Sequence, residues 1–175
     1  MFEARKNTAA LCVSVALALT SPIIPGAAQA ESFLGKHGDW EAFADKEDGK
    51  SVCYMASEPT KMRGDYTKRG ASYAMVTHRP AEKSRNVVSI RAGYDYKPGS
   101  EVAVVIGAAT FKLFTKDGWA FAPDADADNA LVKAMVRGAA MTVVGFSGRG
   151  TKTPDSYSLK GFTAAYGAIS KACKG

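Results

Sequence analysis

The segment TFKLFTKDGWAF, Thr110–Phe121, decides the fold class. Its Asp117-Gly118 pair fits a two-residue type I′ turn, because both central positions must take positive φ and these residues tolerate it. Phe111 and Leu113 share one face before the turn, and Trp119 and Phe121 share one after it. That is a β-hairpin, with side chains alternating at period two.

Neighbouring segments read the same way. NVVSIRAGY sets Val88, Ile90, Ala92 and Tyr94 on one face and Val87, Ser89 and Arg91 on the other. SVCYMAS (Ser51–Ser57), ASYAMVTH (Ala71–His78) and MTVVGF (Met141–Phe146) are short β segments bounded by turn residues. EVAVVIG, from Glu101, is apolar on both faces, so a central strand is expected. Two helices interrupt the pattern. One, near 128–137, follows the aspartates of DADADN and carries Leu131, Val132, Met135 and Val136 as a stripe, with Gly138 to close it. The other, near 161–173, aligns Phe162, Ala165, Tyr166, Ile169 and Cys173. No strand–helix alternation supports a parallel sheet. The expected fold is mainly β, an antiparallel sandwich or flattened barrel with these two helices.

The first thirty residues do not belong to that body. Arg5 and Lys6 precede the apolar run TAALCVSVALALT (Thr8–Thr20), Pro22 and Pro25 break it, and Ala28-Gln29-Ala30 offers a small-x-small cleavage site. The run is shorter than the about 20 residues of a membrane span. Residues 1–30 therefore read as a signal peptide cleaved after Ala30, leaving 31–175 as a single β-rich domain with no transmembrane segment. An uncleaved N-terminal anchor is the competing reading. Cys12 departs with the leader, and Cys53 and Cys173 remain. In an exported chain these form one disulfide or persist as two buried thiols; an oxidising compartment favours the disulfide. It would close a loop of roughly 4–5 kcal/mol in the chain-entropy model. It would also tie down a terminus that otherwise frays.

The formal net charge is +6, from 23 Lys and Arg against 17 Asp and Glu. A basic exported chain favours an anionic envelope or host-surface partner, while nucleic acid is not expected in that compartment. Solubility alone is the other use of such charge. The sequence points to no metal and no cofactor. Asp124, Asp126 and Asp128 resemble the start of a calcium loop, but the later glycine and glutamate positions hold Asn129 and Met135. GFSGRG approaches a nucleophile elbow and would make Ser147 the nucleophile of a small periplasmic hydrolase, with His37 and His78 as the two histidines available for a base, but its fifth position is Arg149. Arg63-Gly64-Asp65, in a polar segment, is an adhesive tripeptide or an ordinary solvated loop.

Five stretches together resemble the invasion-associated locus B family of alphaproteobacterial envelope proteins. They are GDW (Gly38–Trp40), VCYMASEP (Val52–Pro59), VTHRPAEKSRNVVSI (Val76–Ile90), FKLFTKDGWAF (Phe111–Phe121) and SGRGTKTPDSYSLKGFTAAYGAISKAC (Ser147–Cys173). The resemblance implies a secreted or periplasmic, mainly β protein, non-enzymatic, binding a partner or supporting the cell surface, and associated in pathogens with host-cell invasion. It supplies no catalytic residues. Ala42 and Ala44 stand where some members carry further cysteines, which implies a branch with one disulfide. Pro154, inside the last stretch, confines it to an edge or a turn. Arg149, Thr151, Asp155 and Tyr157 form a candidate binding patch; alternatively Asp155 and Arg149 pair to fix the turn while Tyr157 packs inward.

Overall fold

A computed structural model describes residues 31–174; residues 1–30, where the signal peptide and its cleavage after Ala30 are expected, lie outside the described residues. The Asp117-Gly118 turn, with φ of 49° and 77°, joins β7 (Ala109–Lys116) to β8 (Trp119–Phe121). Its register opposes Lys116 to Trp119 and Phe114 to Phe121. Trp119 and Phe121 therefore share a face with Phe114, opposite to that of the buried Leu113 and Ala120.

The remaining strands are β1 (Ser32–His37), β2 (Trp40–Glu47), β3 (Lys50–Ser57), β4 (Tyr73–Arg79), β5 (Ser84–Arg91), β6 (Glu101–Ile106), β9 (Ala140–Phe146) and β10 (Lys152–Ser158). All pair antiparallel in one sheet, in the order β1-β2-β3-β4-β5-β8-β7-β6-β9-β10. β6, the all-apolar segment, is interior to the sheet as expected. β10 was not legible as a strand: its inward residues are Thr153, Asp155 and Tyr157, so the alternation is largely polar. Pro154 sits in this edge strand, as its missing donor requires. Two residues on, Ser156 N–H donates outward to Lys61 O at 2.8 Å, and Thr60 N–H donates to Ser156 O at 2.8 Å. The segment after β3 thus covers part of the β10 edge without closing the sheet into a barrel.

Both helices bury their stripes against the inner face. α1 (Ala125–Arg137) starts three residues earlier than its apolar stripe suggests, because the Asp124 carboxylate caps it by accepting from Ala127 N–H at 2.8 Å. β8 is only three residues long and leaves part of β5 without a strand neighbour on the side away from β4. Asp128 fills that gap, accepting from Val88 N–H at 2.8 Å. Burial raises the proton affinity of this carboxyl above the ordinary value, and the Val88 bond opposes that. The aspartates of DADADN thus serve the helix start and the sheet.

α2 (Phe162–Ala172) packs on β1, β2 and β3 with Phe162, Ala165 and Ile169 buried. Cys173, just past its end, is joined to Cys53 of β3 by a disulfide, with Cα atoms 5.8 Å apart and a sequence separation of 120. At the helix start two chain segments meet backbone to backbone. Gly38 and Gly161 both have positive φ, and Asp39 N–H donates to Lys160 O at 3.0 Å. Trp40 lies edge-on to Phe162 at 4.9 Å and donates its indole N–H to Ser158 O at 3.0 Å. The GDW and SLKGF motifs are therefore two halves of one joint.

A Cβ on Gly161 would overlap the His37 carbonyl, at a φ of +87° that side chains rarely adopt. Gly161→Ala is expected to destabilise the protein by roughly 3–5 kcal/mol, read as a lower denaturant midpoint. The same change at Gly167, where a Cβ meets nothing within 4 Å, is expected to leave the midpoint unchanged or raise it.

Candidate functional site

The turn between β9 and β10 builds one wall of a cleft. Ser147 N–H donates to Thr151 O at 2.9 Å, and Thr151 N–H donates back to Ser147 Oγ at 3.2 Å. Gly148 N–H donates to Asp95 O at 2.8 Å, which ties the turn to the chain after β5. The Ser147 hydroxyl is thus engaged in its own turn. His78 is elsewhere, fully buried in β4. Its Nδ1 accepts from Asn86 N–H at 3.1 Å, so the neutral ring carries its proton on Nε2, 3.2 Å from Ser170 Oγ. The structure does not bring Ser147 and His78 together.

Behind the cleft lies a buried ion pair that sequence reasoning assigned to the wrong cation. Asp155 pairs with Arg69, from the loop between β3 and β4, and not with Arg149. Arg69 Nη1 donates to Asp155 Oδ1 at 2.7 Å, and Nη2 donates to Oδ2. Its Nε donates to Ala92 O, and its Nη2 reaches Ser72 Oγ at 3.4 Å. Two rings flank the guanidinium carbon, Tyr66 at 5.5 Å and Tyr94 at 5.0 Å from their centroids. Burial alone would lower the proton affinity of Arg69, but the bonds and charge of Asp155 outweigh it and raise it. Tyr157 packs inward, with its hydroxyl 3.2 Å from Ser72 Oγ, and Tyr94 bonds Thr153. Burial is the main cause of the raised proton affinity of both phenols.

In front of this pair the cleft encloses about 440 Å³. Arg149 and Thr151 of the candidate patch line it; Asp155 and Tyr157 do not, being buried behind it. Lys68 and Arg149 contribute exposed cations, and Asp65 and Asp95 exposed carboxylates. Arg63-Gly64-Asp65 is exposed, with Asp65 lining the cleft, and Thr151 Oγ1 donates to Asp65 O at 3.4 Å. Ion-pairing groups on tied loops beside two tyrosine rings suit the arrangement to holding a polar ligand. Arg69, Tyr66 and Lys68 were not legible as site residues. The one available signal was Asp155 at an inward strand position, since a buried carboxylate demands a cation.

Two consequences are measurable. Arg69→Met leaves Asp155 buried without a cation and is expected to cost about 3–5 kcal/mol, whereas Arg69→Met/Asp155→Leu is expected to recover most of it in a denaturant titration. His78 is held below its ordinary proton affinity, first by burial and then by the charge of Arg85. The unfolded chain therefore binds more protons as pH falls through about 6.5, and folding stability drops with it. The melting temperature is expected to fall between about pH 7.5 and 5.5, and His78→Gln to flatten that slope.

No curated protein sequence matches the chain. A crystal structure of invasion associated protein B from Bartonella henselae is similar in fold, with a TM-score of 0.56 and 14% identity over 80% of this chain and 96% of that one. The family model for invasion associated locus B (IalB) protein matches residues 40–170, which contain Trp40 and the α2 side of the joint, the buried ion pair and the cleft-lining turn. The chain belongs to the invasion-associated locus B family.

Proposed function

We propose that this family member is an exported, non-enzymatic envelope protein that binds a partner through the cleft at the β9–β10 turn. The carrying observation is the cleft itself, about 440 Å³ lined by charged, hydroxyl and tyrosine side chains. Its walls are cross-tied by Arg69, Asp155 and Gly148, so little order has to be gained on binding. Lys68 and Arg149 at its mouth, beside Asp65 and Asp95, offer ion pairing to a charged group, and the chain's net charge of +6 favours an anionic one on the partner. Processing after Ala30 and residence in the periplasm or at the outer surface complete the reading, and the Cys53–Cys173 disulfide suits either place. A role in host-cell invasion follows from the family's association. Among the described residues no helix is long and apolar enough to cross a membrane.

The test is capture from envelope extract on immobilised protein, with bound material identified by mass spectrometry. Wild type is expected to retain a partner that Lys68→Ala/Arg149→Ala releases at unchanged melting temperature. Equal capture by both forms overturns the cleft as the binding site. The exposure of Arg63-Gly64-Asp65 favours adhesion as a second reading. Asp65→Glu in the same series, assayed for host-cell attachment, separates the two: attachment that survives it removes the adhesin.

A further inference from the structure

The outer face of the sheet, turned away from both helices, carries aromatic side chains where exposed polar residues are the norm. Strand register aligns them. Phe33, Phe43 and Tyr54 stand side by side across β1, β2 and β3, with ring centroids 5.4 and 5.1 Å apart. Tyr73 of β4 meets Trp119 of β8 edge-on at 5.6 Å, and Phe121 continues to Phe114 at 5.8 Å. Phe33 is 60% exposed and Phe114 47%. Rings in such numbers on one open face are an interaction signature, unlike singly scattered apolar residues.

A groove of about 650 Å³ is cut into this face. Phe43, Tyr54, Tyr73 and Met75 form its floor. Its rim is acidic: Asp39, Glu41 and Glu58 stand there against one cation, Lys36, which bonds Glu41 at 3.0 Å. Asp39 and Glu58 make no ion pair among the described residues. On a chain of net charge +6, this is a local reversal of sign. Uncompensated carboxylates repel phosphates, acidic glycans and anionic lipid surfaces. They attract cations, and ring faces bind a guanidinium or ammonium in the same geometry. The face already shows that contact within the chain, since Arg91 lies over Trp119 at 5.3 Å.

We propose that this groove docks a cationic, extended polypeptide segment of a partner, with arginine or lysine side chains laid on Tyr54, Tyr73 and Phe43 between the rim carboxylates. Its volume exceeds what one side chain fills, so two or three residues of such a segment enter together. The site lies apart from the β9–β10 cleft and favours the opposite charge.

The probe is a fluorescent eight-residue peptide of alternating arginine and leucine, titrated against the full chain and read by anisotropy. Binding is expected that Tyr54→Ala or Tyr73→Ala weakens about tenfold and added salt weakens further. Asp39→Asn/Glu58→Gln, which barely perturbs folding because both groups are exposed, is expected to weaken it similarly. Lys68→Ala/Arg149→Ala is expected to leave it unchanged, so failure of the cleft and failure of the groove remain distinguishable. Three outcomes overturn the proposal. The glutamate–leucine counterpart binds equally well; a neutral hexasaccharide binds at Tyr54 and Tyr73 while the arginine peptide does not; or sedimentation shows a second copy of the chain closing the groove.

Discussion

The joint between the first hairpin and the start of α2 is the constraint on which the rest of the molecule depends. The described residues form a single antiparallel sheet of ten strands that ends in two edges, and its ladder cannot hold those edges near each other. Here Gly38 and Gly161 let two backbones touch, Trp40 reaches Ser158 on β10, and Phe162 fills the space beneath. An isolated helix of α2's eleven residues is marginal in water, so α2 owes its order to this packing. The disulfide then fastens its far end to β3, closing a 120-residue separation worth roughly 4–5 kcal/mol in the chain-entropy model. One end of the helix is held by contact at atomic closeness and the other by a covalent bond.

The buried Arg69–Asp155 pair works differently. Its desolvation cost is comparable to its Coulombic gain, so it adds little net stability over an apolar pair of the same volume. Its effect is on register. Arg69 can satisfy Asp155, Ala92 O and Ser72 together only if the β3–β4 loop, the end of β5 and β10 occupy one mutual arrangement. That arrangement creates the cleft.

Period two and the Asp-Gly turn made the hairpin and the apolar strands β3, β4, β5, β6 and β9 legible, because hydrophobic alternation is a local signal. β10 was hidden because two of its inward residues, Thr153 and Asp155, are polar and satisfied by partners distant in sequence. α1 began earlier than its stripe because a cap, not an apolar contact, sets its first turn. The candidate patch split for the same reason. Arg149 and Thr151 reach the cleft, while Asp155 and Tyr157 alternate into the core. The outer aromatic rows were visible residue by residue, yet nothing local says that Tyr73 and Trp119, 46 positions apart, become neighbours.

Strand alternation also explains how one motif serves both fold and surface. In VCYMASEP, Cys53, Met55 and Ser57 turn inward to the disulfide, the core and Asp39 O, while Tyr54 and Ala56 turn outward into the acidic groove. A substitution at an inward position acts on the joint or the core and costs stability. One at an outward position acts first on what the face presents to solvent and, at the stacked Phe43 and Tyr54, on a cross-strand ring pair. Glu41 and Phe43 on β2 stand in the same relation to Trp40 and Ala42. The outer face is free to differ without loosening the seam, since the two share a backbone but not a side chain.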